Sequence, residues 1–190
     1  MTLWRKALLA ALASLVGLLA SAEASARPLR QGFTMEFGVG LGAIQVGQLN
    51  DYGRERIDMG FEPHAVSFGG FVSRDLALMA RWKSTYHTTP NTDGEDAHRF
   101  LGTLTLNAQW WLAPRWFVSG GAGVAAFGYG IGSADGDPSW SVGGALSARV
   151  GYVFARVERH AFKISLEVVS GLFGSGVALG ETLNVEWQFL

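Results

Sequence analysis

The chain has 190 residues, 15 basic and 16 acidic side chains, 26 glycines and no cysteine. That length fits one domain, and the charge balance offers no basic surface for nucleic acid. Without cysteine there is no disulfide framework, thiolate metal site, cysteine nucleophile or lipid-anchored N-terminal cysteine.

The first segment reads as an address. Arg5 and Lys6 precede an uncharged run of Ala, Leu, Val, Ser and Gly over residues 7–20. Ala24-Ser25-Ala26 then offers a small-x-small cleavage site before Arg27-Pro28, with Ala20-Ser21-Ala22 as a second possible cut. This is the three-part pattern of a secretory signal peptide. An anchor helix fits less well, because a spanning helix needs about 20 apolar residues and this run is shorter. The expected organisation is a signal peptide over 1–26 and one barrel domain over 27–190.

From residue 33 onward the apolar residues alternate with polar or small ones, the period of a strand with two unlike faces. The first strand spans 33–44, with Phe33, Met35, Phe37, Val39 and Leu41 on one face and Thr34, Glu36 and glycines on the other. A polar loop over 45–62 follows. The second strand covers 63–73, where His64, Val66, Phe68 and Val72 alternate with Ala65, Ser67 and Gly69, and Phe71 breaks the polar face. Arg74-Asp75 makes a tight turn. The third strand, 76–86, sets Leu76, Leu78, Trp82 and Tyr86 against Met79, Arg81, Lys83 and Thr85, and a second long loop covers 87–98. The fourth, 99–112, sets Phe100, Leu104, Leu106 and Trp110 against Thr103, Thr105, Asn107 and Gln109. After a turn at 113–115 the fifth strand, 116–127, has a very small inner face, and a third long loop covers 128–139. The sixth strand, 140–154, places Ser147 and Arg149 opposite Leu146 and Val150, and a turn is expected over 155–160. The seventh, 161–173, places Lys163, Ser165 and Glu167 opposite Phe162, Ile164 and Leu166. A fourth, shorter loop begins at 174–176, and the eighth strand covers 179–190.

Three regularities point to an all-β, eight-stranded, antiparallel up-and-down transmembrane barrel. The strand number is even and each strand is long enough to cross a bilayer, which takes roughly 9–11 residues. Long and short connections alternate, as loops and turns do on opposite sides of an outer-membrane barrel. Glu36, Arg81, Lys83, Arg99, Arg149, Lys163, Glu167 and Glu186 all fall on the less apolar face. An Arg or Lys facing lipid at mid-depth costs roughly 2–4 kcal/mol, so these charges belong inside. Aromatics form two expected belts: Trp110, Trp116, Tyr152, Phe154, Phe162, Trp187 and Phe189 near the turns, and Trp82, Tyr86, Phe100, Phe127, Tyr129 and Trp140 near the loops.

The chain ends in L-N-V-E-W-Q-F-L over residues 183–190, with Val185, Trp187 and Phe189 sharing a face and Leu190 last. With this strand pattern, the segment from Phe33 onward resembles the small eight-stranded outer-membrane barrel proteins of Gram-negative bacteria, the OmpA-barrel and opacity-protein-like group. The resemblance implies residence in the outer membrane, both termini periplasmic and long loops outside. It also implies contact with outer-membrane lipid, and recognition by the barrel-assembly machinery through Val185, Trp187, Phe189 and Leu190. A monomer without cofactor, metal or catalytic residues is expected.

The eight inward charges, five basic and three acidic, sum to net +2. Buried charges persist mainly when paired, and eight strands leave little bore, so a charge-filled plug is favoured over a narrow anion-preferring pore. The loops are acidic: Asp51, Glu55, Asp58 and Glu62 against Arg54 and Arg56, then Asp93, Glu95 and Asp96, then Asp135 and Asp137, net −7. They lack a complete Ca²⁺-loop pattern. A lipid-modifying enzyme would need a Ser, a His and an acid in reach of one another. His87 and His98 flank the second long loop near Ser84, Asp93 and Asp96, but no Gly-x-Ser-x-Gly elbow is present and solvated loop histidines are the favoured reading. A soluble lipocalin-like barrel would show the same alternation with its faces reversed.

Overall fold

The computed structural model describes residues 30–47, 57–90, 96–131 and 139–190. The expected signal peptide over 1–26 lies outside them, as do the centres of the three expected long loops. Eight strands run in chain order: β1 (Gly32–Gly47), β2 (Ile57–Ser73), β3 (Leu76–Pro90), β4 (Asp96–Trp111), β5 (Trp116–Ile131), β6 (Ser139–Val157), β7 (His160–Phe173) and β8 (Gly176–Phe189). Each pairs antiparallel with the next, and β8 pairs with β1, closing an up-and-down barrel. Closure leaves no unpaired strand edge.

Several boundaries differ from the sequence expectation. Residues 57–62 belong to β2, 87–90 to β3, 96–98 to β4 and 128–131 to β5, so the expected loops are partly wall. Backbone pairing continues beyond the point where the apolar alternation fades, because ladder hydrogen bonds do not depend on side-chain type. The β6–β7 connection is a two-residue turn at Glu158-Arg159, with Val157 paired to His160, and not the longer turn expected over 155–160. The β7–β8 connection is likewise two residues, Gly174-Ser175, so β8 begins at Gly176 and not at 179.

The face assignment settles which side of the sheet is greasy. Leu106 and Val142 are 75% and 76% exposed, and Leu41, Leu104, Leu146, Leu166, Leu183 and Val185 are all more than half exposed. Arg81 and Glu167 are 1% exposed. This is the reverse of a lipocalin-like barrel, whose apolar side chains would line the cavity. An exposed apolar belt of this extent is a surface for hydrocarbon, not for water. Among the described residues one wall charge departs from the rule. Glu181, on β8 near the loop end, faces outward.

The inside is layered. At the turn end Trp111, Phe117, Val153, Ala161 and Leu190 form a buried apolar cluster, with Phe71 packed against it. At the loop end Ile44, Leu101, Phe127 and Ala178 form another, joined by Val46, Tyr129 and Phe173. Phe127 and Tyr129 therefore point into the lumen and do not belong to the outer loop-end belt. They share parity with Ala125, whose side chain is also inside. Tight coiling of so small a barrel requires glycine where strands nearly touch. A Cβ on Gly69 would lie 1.9 Å from the Leu78 carbonyl oxygen, and one on Gly123 2.0 Å from that of Leu104.

Candidate functional site

Between the two apolar layers lies a cluster of ionised side chains supplied by six strands. Arg81 on β3 is its hub. Its Nη1 donates to Glu36 Oε1 at 2.5 Å and to Ser67 Oγ at 3.0 Å. Its Nε and Nη2 grip both oxygens of Glu167, at 3.2 and 2.8 Å, and Nη2 also reaches Glu186 Oε1 at 3.0 Å. The two-point grip is the fork geometry that makes arginine suited to carboxylates. Arg149 on β6 donates to Glu36 and, at 2.7 Å, to Glu186, and its Nη2 donates to Gln109 Oε1 at 3.1 Å. Lys163 on β7 donates to Glu36 and to Gln188 Oε1 at 2.9 Å, with Glu186 Oε2 at 3.6 Å.

Neutral side chains extend the cluster toward the turn end. Gln109 donates to Gln188 Oε1 at 3.2 Å, Gln188 donates to Thr34 Oγ1 at 3.0 Å, and Thr34 donates to the Phe189 carbonyl at 2.5 Å. Toward the loop end Lys83 lies 3.1 Å from Glu62 and 3.3 Å from Glu167, and donates to Thr182 Oγ1 at 2.5 Å. Lys163 and Arg149 also face the Phe117 ring, at 4.5 and 5.0 Å from its centroid. The cluster thus rests directly on the turn-end apolar layer.

Of the eight charges named from the sequence, seven meet here. Arg99 does not. It lies on β4 nearer the loop end than Thr103, the partner of Lys83, with its guanidinium 5.4 Å from the Tyr129 ring centroid. In its place the cluster holds Glu62, assigned from sequence to a loop. The cause is a bulge. Gly38 pairs with Ala65 but Gly40 with Glu62, and Phe61 pairs with Tyr86 but His64 with Ser84, so β2 carries one extra residue against both neighbours. The extra residue reverses the face of everything beyond it, and Glu62 turns inward, fully buried. Pro63 was the available signal, since a proline within a wall strand marks an edge or a bulge. With Glu62 in and Arg99 out, four carboxylates face four basic groups. The cluster itself is neutral, and because Arg99 also faces inward, the eight named charges with Glu62 sum to +1 and not to the +2 expected.

The hydrolase candidates are arranged differently from the sequence reading. Ser84 Oγ hydrogen-bonds His64 Nε2 at 3.1 Å across β2 and β3, and His64 sets its ring edge-on to Trp82. Ser84 is 1% exposed, and among the described residues no carboxylate joins the pair. A buried serine with one partner satisfies its own hydrogen bond. Among the described residues no three metal-ligating side chains converge on a site for a metal ion. The C-terminal residues divide by parity: Val185 is exposed outward, Trp187 stacks on Phe37 at 5.8 Å and donates to His160 Nδ1 at 3.1 Å, and Leu190 is buried in the turn-end cluster.

No protein-family model and no curated protein matches the chain. Solved structures do. Ail, the attachment invasion locus protein of Yersinia pestis, crystallised with the heparin analogue sucrose octasulfate, superposes with a TM-score of 0.54 at 14% identity, over 83% of this chain and 99% of that one. Neisserial surface protein A superposes with a TM-score of 0.57 at 13% identity, over 83% of this chain and 96% of that one. The fold is that of the small outer-membrane β-barrels. At such identities the likeness concerns backbone architecture, and the function must be argued from this chain's own side chains.

Proposed function

We propose that the protein is a non-enzymatic integral barrel of the Gram-negative outer membrane, closed to solutes by its own side chains, that holds its long loops at the cell surface. The observation that carries this reading is the segregation of the wall, with an apolar belt outside and four carboxylates offset by four basic groups inside. The sealed lumen supports a scaffold or display role over a channel. A buried layer of aromatic and aliphatic side chains lies toward each end of the bore, with Trp111, Phe117 and Leu190 at one and Ile44, Leu101 and Phe127 at the other. Both termini and the short turns lie on the periplasmic side in this reading. Residues 1–26 are a signal peptide removed on export, and the barrel is monomeric. The outward face of the last strand, Val185, Trp187 and Phe189, is what the assembly machinery reads, with Leu190 serving the interior. That Ail and the Neisserial protein are a named attachment protein and a surface protein supports display of the loops.

Two measurements test this together. Fractionation of expressing cells should place the protein in the outer membrane with a heat-modifiable electrophoretic shift, and planar-bilayer recording should give no conductance above background. Stable ion-conducting steps from the folded protein would defeat the closed-barrel reading.

A further inference from the structure

A second concentration of charge lies at the turn end, apart from the lumen. Three arginines converge on the β4–β5 turn. Arg30 is buried, sits 3.8 Å over the Trp111 ring, and donates from Nη2 to the Pro114 carbonyl at 3.0 Å. Arg156, half-buried at the end of β6, donates to that same carbonyl at 3.4 Å and lies 5.9 Å from the same indole. Arg115, the next residue along the chain, is exposed and donates to the Tyr152 hydroxyl at 3.2 Å. Tyr152 packs on Trp116 at 4.8 Å on the outer wall, so Arg115 is held against the aromatic band.

Asp75 stands 3.7 Å from Arg30. Among the described residues Arg115 and Arg156 have no carboxylate partner, and the charge of Arg115 bears directly on Arg156. Arg156 Nε is shielded from solvent and has no hydrogen-bond partner. Like charges gathered at one carbonyl repel unless an anion joins them. The planar guanidinium fork matches the oxygens of a phosphate group. The band of Trp116, Tyr152 and Trp110 beside it marks headgroup depth.

We infer that the β4–β5 turn and the end of β6 form a binding site for the phosphate of an anionic phospholipid, held by Arg115 and Arg156 with Arg30 as the buried third cation. The inference rests on the bilayer reading above and names the lipid class that the turn end selects. Its natural occupant is a lipid of the leaflet that the short turns face.

The test is native mass spectrometry of the protein purified from outer membranes into nonionic detergent. Phosphatidylglycerol, phosphatidylcholine or inorganic phosphate is added at equal concentration. One phosphatidylglycerol should be retained over phosphatidylcholine, and Arg115→Gln and Arg156→Gln should each reduce its retention about fivefold, as loss of one basic contact at a lipid surface does. Arg74→Gln, on a different turn, should leave it unchanged. Equal retention of the two lipids, or undiminished phosphatidylglycerol on both variants, overturns the site. Displacement of the lipid by an equal concentration of inorganic phosphate overturns its assignment to a lipid. Heat-modifiable migration of each sample separates the two claims: a folded, vesicle-inserting barrel that retains no phosphatidylglycerol sinks the site alone, whereas failure to insert sinks the reading beneath it.

Discussion

Arg81 touches three carboxylates at once, Glu36, Glu167 and Glu186, and none of the three can reach bulk water. Removing the cation leaves four buried carboxylates facing three cations, with Lys83 the one cation left beside Glu167, and an uncompensated buried charge costs more than the pairing contributes. Arg81→Met should therefore lower the stability of the barrel in vesicles by about 3–5 kcal/mol, read from the urea unfolding midpoint. Glu62→Gln should lower it by only about 1 kcal/mol, because Lys83 keeps Glu167 and Thr182. A larger loss from Glu62→Gln than from Arg81→Met would contradict the hub assignment. The inward side of Arg81 and Lys163 was legible because each lies between bulky apolar neighbours, Trp82 on one strand and Phe162 and Ile164 on the other. Glu62 was not, because period-two reading assumes that no residue is inserted, and β2 inserts one at Pro63. Nor could alternation reveal which inward charges share a depth, since that depends on strand tilt and register; Arg99 has the right face and the wrong height.

At the scale of the element, strand number and order followed from alternation and from the turn residues, while strand ends did not. Ladder pairing carries β3 to Pro90 and β5 to Ile131 beyond any apolar signal. The β6–β7 turn was hidden for a related reason. It has no glycine or asparagine, and Glu158 adopts a φ of 52° that an L side chain disfavours. Glu158→Asn should relieve part of that strain, raising stability by about 0.5–1 kcal/mol in the same unfolding assay. An unchanged or lowered midpoint would show that the turn stores no strain. The turn-end apolar layer couples elements in another way, since Trp111 of β4, Phe117 of β5, Val153 of β6, Ala161 of β7 and the final Leu190 meet there. Trp111→Ala should cost about 3–5 kcal/mol and is expected to do so without altering outer-membrane targeting, as Trp111 faces away from lipid. Loss of targeting with stability retained would show that Trp111 acts outside the lumen.

The whole molecule has two solvents, one outside and one inside, and each face of the wall is matched to its own. Hydrocarbon meets Leu106, Val142, Leu166 and Val185, whereas Arg81, Arg149, Lys83 and Lys163 meet carboxylates, hydroxyls, amides and aromatic faces. The absence of cysteine allows single reporters to be placed anywhere on this wall. The most direct test is quenching by brominated lipid of a fluorophore attached at Leu106→Cys, Val142→Cys, Leu166→Cys or Ser165→Cys, in vesicles. The first three should be strongly quenched and closed to aqueous iodide, while Ser165→Cys should be quenched by neither. Iodide access at Leu106→Cys or Val142→Cys, with lipid quenching at Ser165→Cys, would mean that the faces of the barrel are reversed.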